Sequence, residues 1–174
     1  QLLQSDFGSL LSGYTSGTGR ELLMGRSLCV TIIVLSMVVA PQVGADVITI
    51  GTDNATSVDW SNPDTNYGSH TALEAGFTNK RAYLGFDTEG YAGVYAAYLE
   101  VFYTGWGGNV DEILVARRAS SDSWAEGDVT WNDQPGYEAT VLDSWPIATS
   151  PTGYWVSFDV TAAFENGSNV SFVL

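Results

Sequence analysis

The stretch KRAYLGFD, residues 80–87, carries the pattern that decides the fold. Its apolar residues Ala82, Leu84 and Phe86 recur at every second position, which is the period of a β-strand with one buried face. The residues between them, beginning with Arg81, fall on the opposite face. We therefore expect a strand with one face in the core and the other in water.

The same alternation recurs on both sides of this stretch. Apolar-rich runs alternate with clusters of Gly, Asn, Asp and Ser, and no window has a sustained helical stripe. This pattern predicts an all-β sandwich or barrel, with the segment 51–70 as a long polar loop. The predicted strands are 47–50, 71–77, 81–87, 94–103, 113–117, 129–131, 141–147, 154–160 and 170–174.

Residues 24–45 have the organisation of a secretory signal peptide. A short basic start is followed by the apolar run 28–40 and then by small residues. The run is shorter than the roughly 20 residues that a bilayer span needs, so a retained anchor is the alternative interpretation. We expect the mature domain to comprise residues 46–174. Residues 1–23 are interpreted as an upstream or disordered segment.

The net charge of the chain excludes some classes of binding partner. The chain has 6 Lys and Arg against 20 Asp and Glu, which gives a formal net charge of −14. Such a surface repels phosphate backbones and anionic lipid headgroups, so we expect neither nucleic-acid binding nor peripheral membrane binding. With the apolar leader removed, we also expect no membrane insertion of the mature form. Within residues 46–174 the cations are Lys80, Arg81, Arg117 and Arg118.

No catalytic signature is present. The single histidine, His70, has no identifiable nucleophile partner, and the single cysteine, Cys29, lies in the predicted leader. A glycosidase needs only two carboxylates, but acidic residues are too numerous here for any pair to be diagnostic. The sequence therefore predicts that residues 46–174 are not an enzyme.

Several aromatic residues are candidates for carbohydrate binding, because exposed rings stack on the apolar face of a pyranose. Trp106 lies among glycines, which predicts an exposed loop aromatic. Trp124 and Trp131 are the first and last residues of the stretch WAEGDVTW, and Tyr67 precedes Gly68. For these three residues the alternative is that the ring anchors a loop or turn to the core.

Two further groups of polar residues are candidates. Lys80 and Arg81 form a basic pair that would attract a carboxylated sugar, although they could instead neutralise nearby carboxylates. The polar loop contains oxygen donors that suit a structural Ca²⁺, although solvated turn residues are the alternative. These candidate metal ligands are Asp53, Asn54, Asp64 and Asn66.

Four segments in a fixed order resemble the DNRLRE domain family, which is also classed among carbohydrate-binding modules. They are 66–69 (NYGS), 80–87 (KRAYLGFD), 124–135 (WAEGDVTWNDQP) and 158–161 (FDVT). The resemblance covers nearly all of residues 46–174. It implies a secreted jelly-roll β-sandwich of bacterial and archaeal surface proteins, related to disaggregatase. Some such domains are appended to polysaccharide lyases and bind alginate.

The chain departs from this family at three points. The naming string DNRLRE does not occur, and Gly85 stands where relatives often carry a basic residue. The closing strand of the family also has no counterpart, so we expect a sandwich that lacks its C-terminal strand through truncation.

Three hypotheses for function follow. The first is a non-catalytic secreted module that binds a uronate-containing or neutral polysaccharide, and so tethers a larger multidomain protein to glycan or contributes to cell-surface adhesion. The second is a purely structural surface module. The third is a fragment of a polysaccharide lyase or disaggregating enzyme.

Overall fold

The computed structural model describes residues 29–39, 46–76, 79–91, 94–105, 113–147, 153–164 and 168–174. These residues form nine β-strands and one short 3-10 helix, Thr161–Ala163. No helix in this part of the chain has the length and apolar character to cross a membrane. The strands are β1 Cys29–Val39, β2 Asp46–Ile50, β3 Asn54–Asp59, β4 Lys80–Phe86, β5 Val94–Gly105, β6 Ile113–Arg118, β7 Asp143–Pro146, β8 Tyr154–Asp159 and β9 Val170–Val173.

The strands form two antiparallel sheets. One has the order β2-β1-β5-β8 and the other the order β3-β4-β9-β6-β7. The consecutive strands β7, β8 and β9 lie in alternate sheets, as they do in jelly rolls. The prediction of an all-β sandwich of antiparallel strands is confirmed.

The main core consists of the apolar positions that alternate along the strands. Ala82, Leu84 and Phe86 of β4 are buried, as predicted. They pack with apolar side chains of β5, β8 and β9 in one continuous cluster. Full burial of each large apolar side chain stabilises the fold by about 1.5–3 kcal/mol. The largest fully buried members from the other strands are Leu99, Val101, Phe158 and Phe172.

Three strand predictions are wrong. The polar segment after β2 contains strand β3, whereas residues 71–76, the described part of the prediction 71–77, and residues 129–131 are not strands. Strand β3 could not be recognised from its polar sequence, because four of its consecutive residues are buried and its apolar residues therefore do not alternate. The buried Ser57 hydroxyl accepts a hydrogen bond of 2.6 Å from the backbone N–H of Glu74. Hydrogen bonding of this kind lets a polar strand lie inside the fold.

The predicted leader contains strand β1. This strand lies between β2 and β5 and pairs antiparallel with both. A continuous apolar run rich in β-branched residues suits an interior strand as well as a signal peptide, so its composition cannot separate the two. The leader, the domain boundary at residue 46 and the missing C-terminal strand remain predictions.

A second, smaller cluster covers the outer face of the five-stranded sheet. Tyr83 is fully buried there, so the prediction of a water-facing side of β4 is wrong for this residue. The segment 119–137 folds over the sheet and brings Val129 and the rings of Trp124 and Trp131 against Tyr83. We call the buried residues Val58, Tyr83, Ala119, Val129 and Val173, with Trp124 and Trp131, the outer cluster.

Gly85 makes room for Trp124 in the outer cluster. The indole Nε1 of Trp124 donates a 3.0 Å hydrogen bond to Ser171 Oγ, and the indole meets the Tyr83 ring edge to face at 6.2 Å. A Cβ atom on residue 85 would lie only 3.3 Å from Trp124 Cζ2. The missing side chain therefore lets the indole approach the backbone of β4 closely.

Gly85→Val is expected to displace Trp124 and to lower the free energy of unfolding by about 1–3 kcal/mol, the usual cost of overpacking. Urea denaturation followed by tryptophan fluorescence measures this change. Gly51→Val is the control, because no atom lies within 4 Å of the Cβ position at Gly51. Equal stability of the two variants would contradict the role assigned to Gly85.

Candidate functional site

The centre of the candidate site is Arg81, which lies between two aromatic rings. Its guanidinium carbon is 4.4 Å from the centroid of the Trp131 ring and 5.0 Å from that of Tyr137. Both distances are within the range of cation–π attraction. Strand β4 supplies the arginine and the segment 119–137 supplies both rings.

Gln134 fixes this arrangement. Its side-chain oxygen accepts a 2.7 Å hydrogen bond from Arg81 Nη1, and its amide nitrogen donates to the Trp131 carbonyl. The Tyr83 hydroxyl lies 2.8 Å from both the Gln134 oxygen and the Pro135 carbonyl oxygen, and its hydrogen can be donated to either. Burial raises the pKa of Tyr83 to about 12, so this donor stays neutral at physiological pH.

A second arginine also contacts the Tyr137 ring. The guanidinium carbon of Arg117, on β6, is 5.7 Å from the Tyr137 ring centroid. This arginine also donates to the carbonyl oxygens of Glu138 and Ala139. Tyr137 itself is 41% exposed, so part of its ring is open to a ligand next to two positive charges. We call Arg81, Arg117, Trp131 and Tyr137 the arginine platform.

The charges of Arg81 and Arg117 are not neutralised by the part of the chain that the structure describes. Lys80 pairs with Glu74 and with Asp59, the latter at 3.5 Å, and Arg118 pairs with Asp122 at 2.9 Å. No described carboxylate lies within 4.0 Å of either platform arginine. The platform is thus a local positive region on an acidic protein.

A groove of about 510 Å³ lies beside the platform, beyond the end of β9, which pairs with β4 on one side and with β6 on the other. The residues that line it are Gly76, Lys80, Arg81, Ile113, Leu114, Val115, Arg117, Tyr137, Ile147, Val173 and Leu174.

Comparison with family models identifies the chain. The model described as carbohydrate-binding module family 96 matches residues 47–174. The chain belongs to this family. Comparison with curated proteins gave no match. Carbohydrate-binding modules are binding domains rather than catalytic ones, which agrees with the prediction that residues 46–174 are not an enzyme.

The structure of this carbohydrate-binding module separates the sequence-based candidates. Arg81 and Trp131 come together in the platform, and Lys80 lines the groove beside them, although its ammonium is paired with carboxylates. Trp124 packs in the outer cluster, where its contacts are the Tyr83 ring and the Ser171 hydroxyl. Tyr67 is half-buried, and its ring meets that of His70 edge to face at 5.0 Å. Trp106 lies outside the described residues.

The predicted metal ligands contact two different parts of the module. Asn66 Nδ2 donates 2.7 Å hydrogen bonds to the carbonyl oxygens of Glu126 and Val129, and Asp64 accepts a bond from Asn132. Asp53 instead accepts from a backbone N–H just after β4, and Asn54 begins β3. Within the described ranges, no three His, Cys, Asp or Glu side chains are grouped to hold a metal ion. Calcium remains a prediction.

Tyr137 and Gln134 are site residues that the sequence analysis missed. Tyr137 follows the turn at Gly136, and a backbone bridge to Ala119 holds it beside β6. The sequence signal is an aromatic residue just after a Gln-Pro-Gly turn. That signal does not show which strand the turn packs against. The packing of the turn on the sheet is what places Tyr137 beside Arg81.

Asn66→Ala is expected to lower the free energy of unfolding by about 1–3 kcal/mol, because two carbonyl oxygens lose their donor. The loss should be the same with calcium or with EDTA, since the partners of the Asn66 amide nitrogen are backbone oxygens. Urea denaturation under both conditions tests this, with the exposed Asn62→Ala as control. A loss seen only with calcium would instead make Asn66 a metal ligand.

The pH dependence of stability should report on Asp59. Burial alone would raise the pKa of this carboxyl, but hydrogen bonds from Ser61 and the charge of Lys80 outweigh it and lower the pKa. Because the pKa of Asp59 is lower in the folded state, the ionised carboxylate stabilises the fold at pH values above its unfolded pKa of about 3.9. This stabilisation is lost as the pH falls through the folded pKa.

Asp59→Asn should therefore be less stable than the unmodified module at pH 7, by roughly 1–2 kcal/mol, and the difference should become smaller as the pH falls below about 3.9. Urea midpoints measured across this range provide the test, with the exposed Asp128→Asn as control. A difference that stays constant from pH 7 to pH 3 would refute the ionic role of Asp59.

Proposed function

We propose that the module binds a carboxylated polysaccharide at the arginine platform. The observation that carries this proposal is the pair Arg81 and Arg117, which both contact the partly exposed ring of Tyr137 and have no described carboxylate partner. Membership of a carbohydrate-binding module family supports a glycan as the partner.

Each part of the platform suits one part of a uronate residue. The Tyr137 ring offers an apolar face for the C–H groups of a pyranose. The planar guanidinium groups suit the carboxylate of the same or the neighbouring sugar, because their paired N–H donors match its two oxygens. Trp131 and Gln134 hold Arg81 in place, which limits the entropy that it loses on binding.

The net charge of −14 does not prevent such binding. At physiological ionic strength charges are screened over about 8 Å, so carboxylates elsewhere on the module act weakly on a sugar that contacts the platform. The two arginines act at hydrogen-bond distance, where screening is small. The acidic remainder of the surface should disfavour anionic polymers that cannot reach the platform.

We further propose that the module is exported, is of the DNRLRE type, and tethers a larger protein to glycan or contributes to cell-surface adhesion. The leader-like residues 24–45 and the four ordered motifs support this proposal. A structural Ca²⁺ held by the loop after β2 is part of the same proposal, supported by its oxygen-bearing side chains.

A purely structural surface module is the second candidate. The observation in its favour is that Trp124 and Trp131 both pack in the outer cluster, where they cover Tyr83. This function requires no open ring or unpaired charge, whereas polysaccharide binding requires both. Binding measurements therefore separate the two candidates.

Arg81→Gln and Arg117→Gln are each expected to weaken binding to alginate or pectin about tenfold, which corresponds to the roughly 1.4 kcal/mol of one charge-assisted contact. Tyr137→Ala should have a similar effect through loss of stacking. Affinity electrophoresis of the whole chain in gels that contain each polymer, with calcium or with EDTA, measures these changes.

Arg81→Lys and Trp60→Ala serve as controls. The first keeps the charge but loses the planar donor pair, so it should bind at an intermediate level. The second removes an indole that is 64% exposed and is not part of the platform, so its binding should be unchanged. No retardation of the unmodified chain in any gel would reject polysaccharide binding in favour of the structural module. Release of reducing ends would indicate catalysis.

A further inference from the structure

A second pair of aromatic residues lies on the opposite side of the sandwich from the arginine platform. Phe102 of β5 and Trp155 of β8 are direct neighbours in the strand register, with ring centroids 5.4 Å apart at 65°. Trp155 is 48% exposed and Phe102 is half-buried. The two rings form one continuous aromatic surface, which we call the aromatic pair.

The core does not account for the position of Trp155. Along β8, Val156 and Phe158 are buried while Trp155, Ser157 and Asp159 are exposed, so the indole belongs to the outward-facing set. β8 is also the end strand of its sheet. Outward positions of an end strand usually carry polar or charged residues, which limit association between sheets.

Trp145 shows the contrast with a packed indole. It is half-buried, its Nε1 lies 3.3 Å from the Tyr154 hydroxyl oxygen, and it packs against the main core. Trp155, in contrast, has a ring contact with Phe102, and about half of its surface is exposed to water. Trp155 differs from the more exposed Trp60 because its ring contacts a second aromatic ring on the same sheet face, and paired rings of this kind offer a surface on which a sugar can stack.

The polar residues beside the aromatic pair indicate which ligand it suits. The next two cross-strand pairs along the same face are Glu100 with Ser157 and Tyr98 with Asp159. Carboxylates accept hydrogen bonds from sugar hydroxyls but repel a uronate. Strands β5 and β8 contain no Lys or Arg, so they supply no cation to balance a negative ligand.

We propose that the aromatic pair is a second carbohydrate-binding surface and that it takes a neutral polysaccharide. A pyranose ring would stack on Trp155, and its hydroxyls would donate to the acidic side chains along β5 and β8. This proposal rests on the proposed glycan-binding function of the module, but it uses different residues and the opposite charge preference.

Two such surfaces would make the module a cross-bridge. The sheets of a sandwich pack about 10 Å apart, and their outer faces point in opposite directions. One glycan chain on each face would therefore be held at the same time without steric conflict. An acidic polymer on the platform and a neutral polymer on the aromatic pair would be linked through a single domain.

The test compares binding of the whole chain to a soluble neutral β-glucan and to alginate, by affinity electrophoresis and by tryptophan fluorescence titration. Trp155→Ala is expected to weaken neutral glucan binding at least tenfold and to leave alginate binding unchanged. Arg81→Gln should give the opposite result. Trp155→Phe keeps an aromatic face and should retain part of the glucan affinity, whereas Trp60→Ala should retain all of it.

Circular dichroism and thermal unfolding show whether each variant is folded. If Trp155→Ala destabilises the sheet, Trp155→Gln, which keeps more of the side-chain volume, replaces it. The bridging step is tested with alginate-coated beads. These should retain labelled β-glucan only when the module is added, and replacement of either Trp155 or Arg81 should abolish this retention.

The outcomes separate the two proposals. Binding to alginate without binding to neutral glucan, or glucan binding unaffected by Trp155→Ala, overturns the second surface and leaves the proposed function standing. Glucan binding that depends on Trp155, without alginate binding, overturns the platform and supports the second surface. Absence of binding to both polymers overturns both.

Discussion

The burial of Tyr83 under the segment 119–137 is the constraint on which the rest of the site depends. This segment has little regular secondary structure, so packing and specific hydrogen bonds must hold it. The Tyr83 hydroxyl meets Gln134 and Pro135, while the Tyr83 ring meets Trp124. Since Gln134 also binds Arg81, the contacts that fix the segment also fix the functional arginine.

The two long loops of the module stabilise each other as well as the sheet. Asn66 binds two carbonyl oxygens of the segment 119–137, and Gly68 approaches Glu126 so closely that a Cβ atom would lie 2.5 Å from its Cγ. Two irregular segments locked in this way form a rigid support for the platform. A preorganised site loses less entropy on binding than a mobile one.

The few cations are divided between two roles. Lys80 and Arg118 form ion pairs that hold β4 and β6 to neighbouring loops, whereas Arg81 and Arg117 contact aromatic rings and backbone or amide oxygens. The match to carbohydrate-binding module family 96 begins at residue 47, so strand β1 lies outside the region that defines the family. The platform and the aromatic pair both lie within it.

The sequence by itself determined the β-sandwich class and the core faces of β4 and β8, because a period of two is a local property of the chain. It also identified Arg81 and Trp131 as candidates, since a basic pair and an indole in a turn-rich stretch are visible locally. Only the tertiary structure decided that Tyr83 is buried and that Tyr137 lies beside Arg81. Both depend on which sheet face the segment 119–137 covers, and that choice is made by long-range packing that no local pattern encodes.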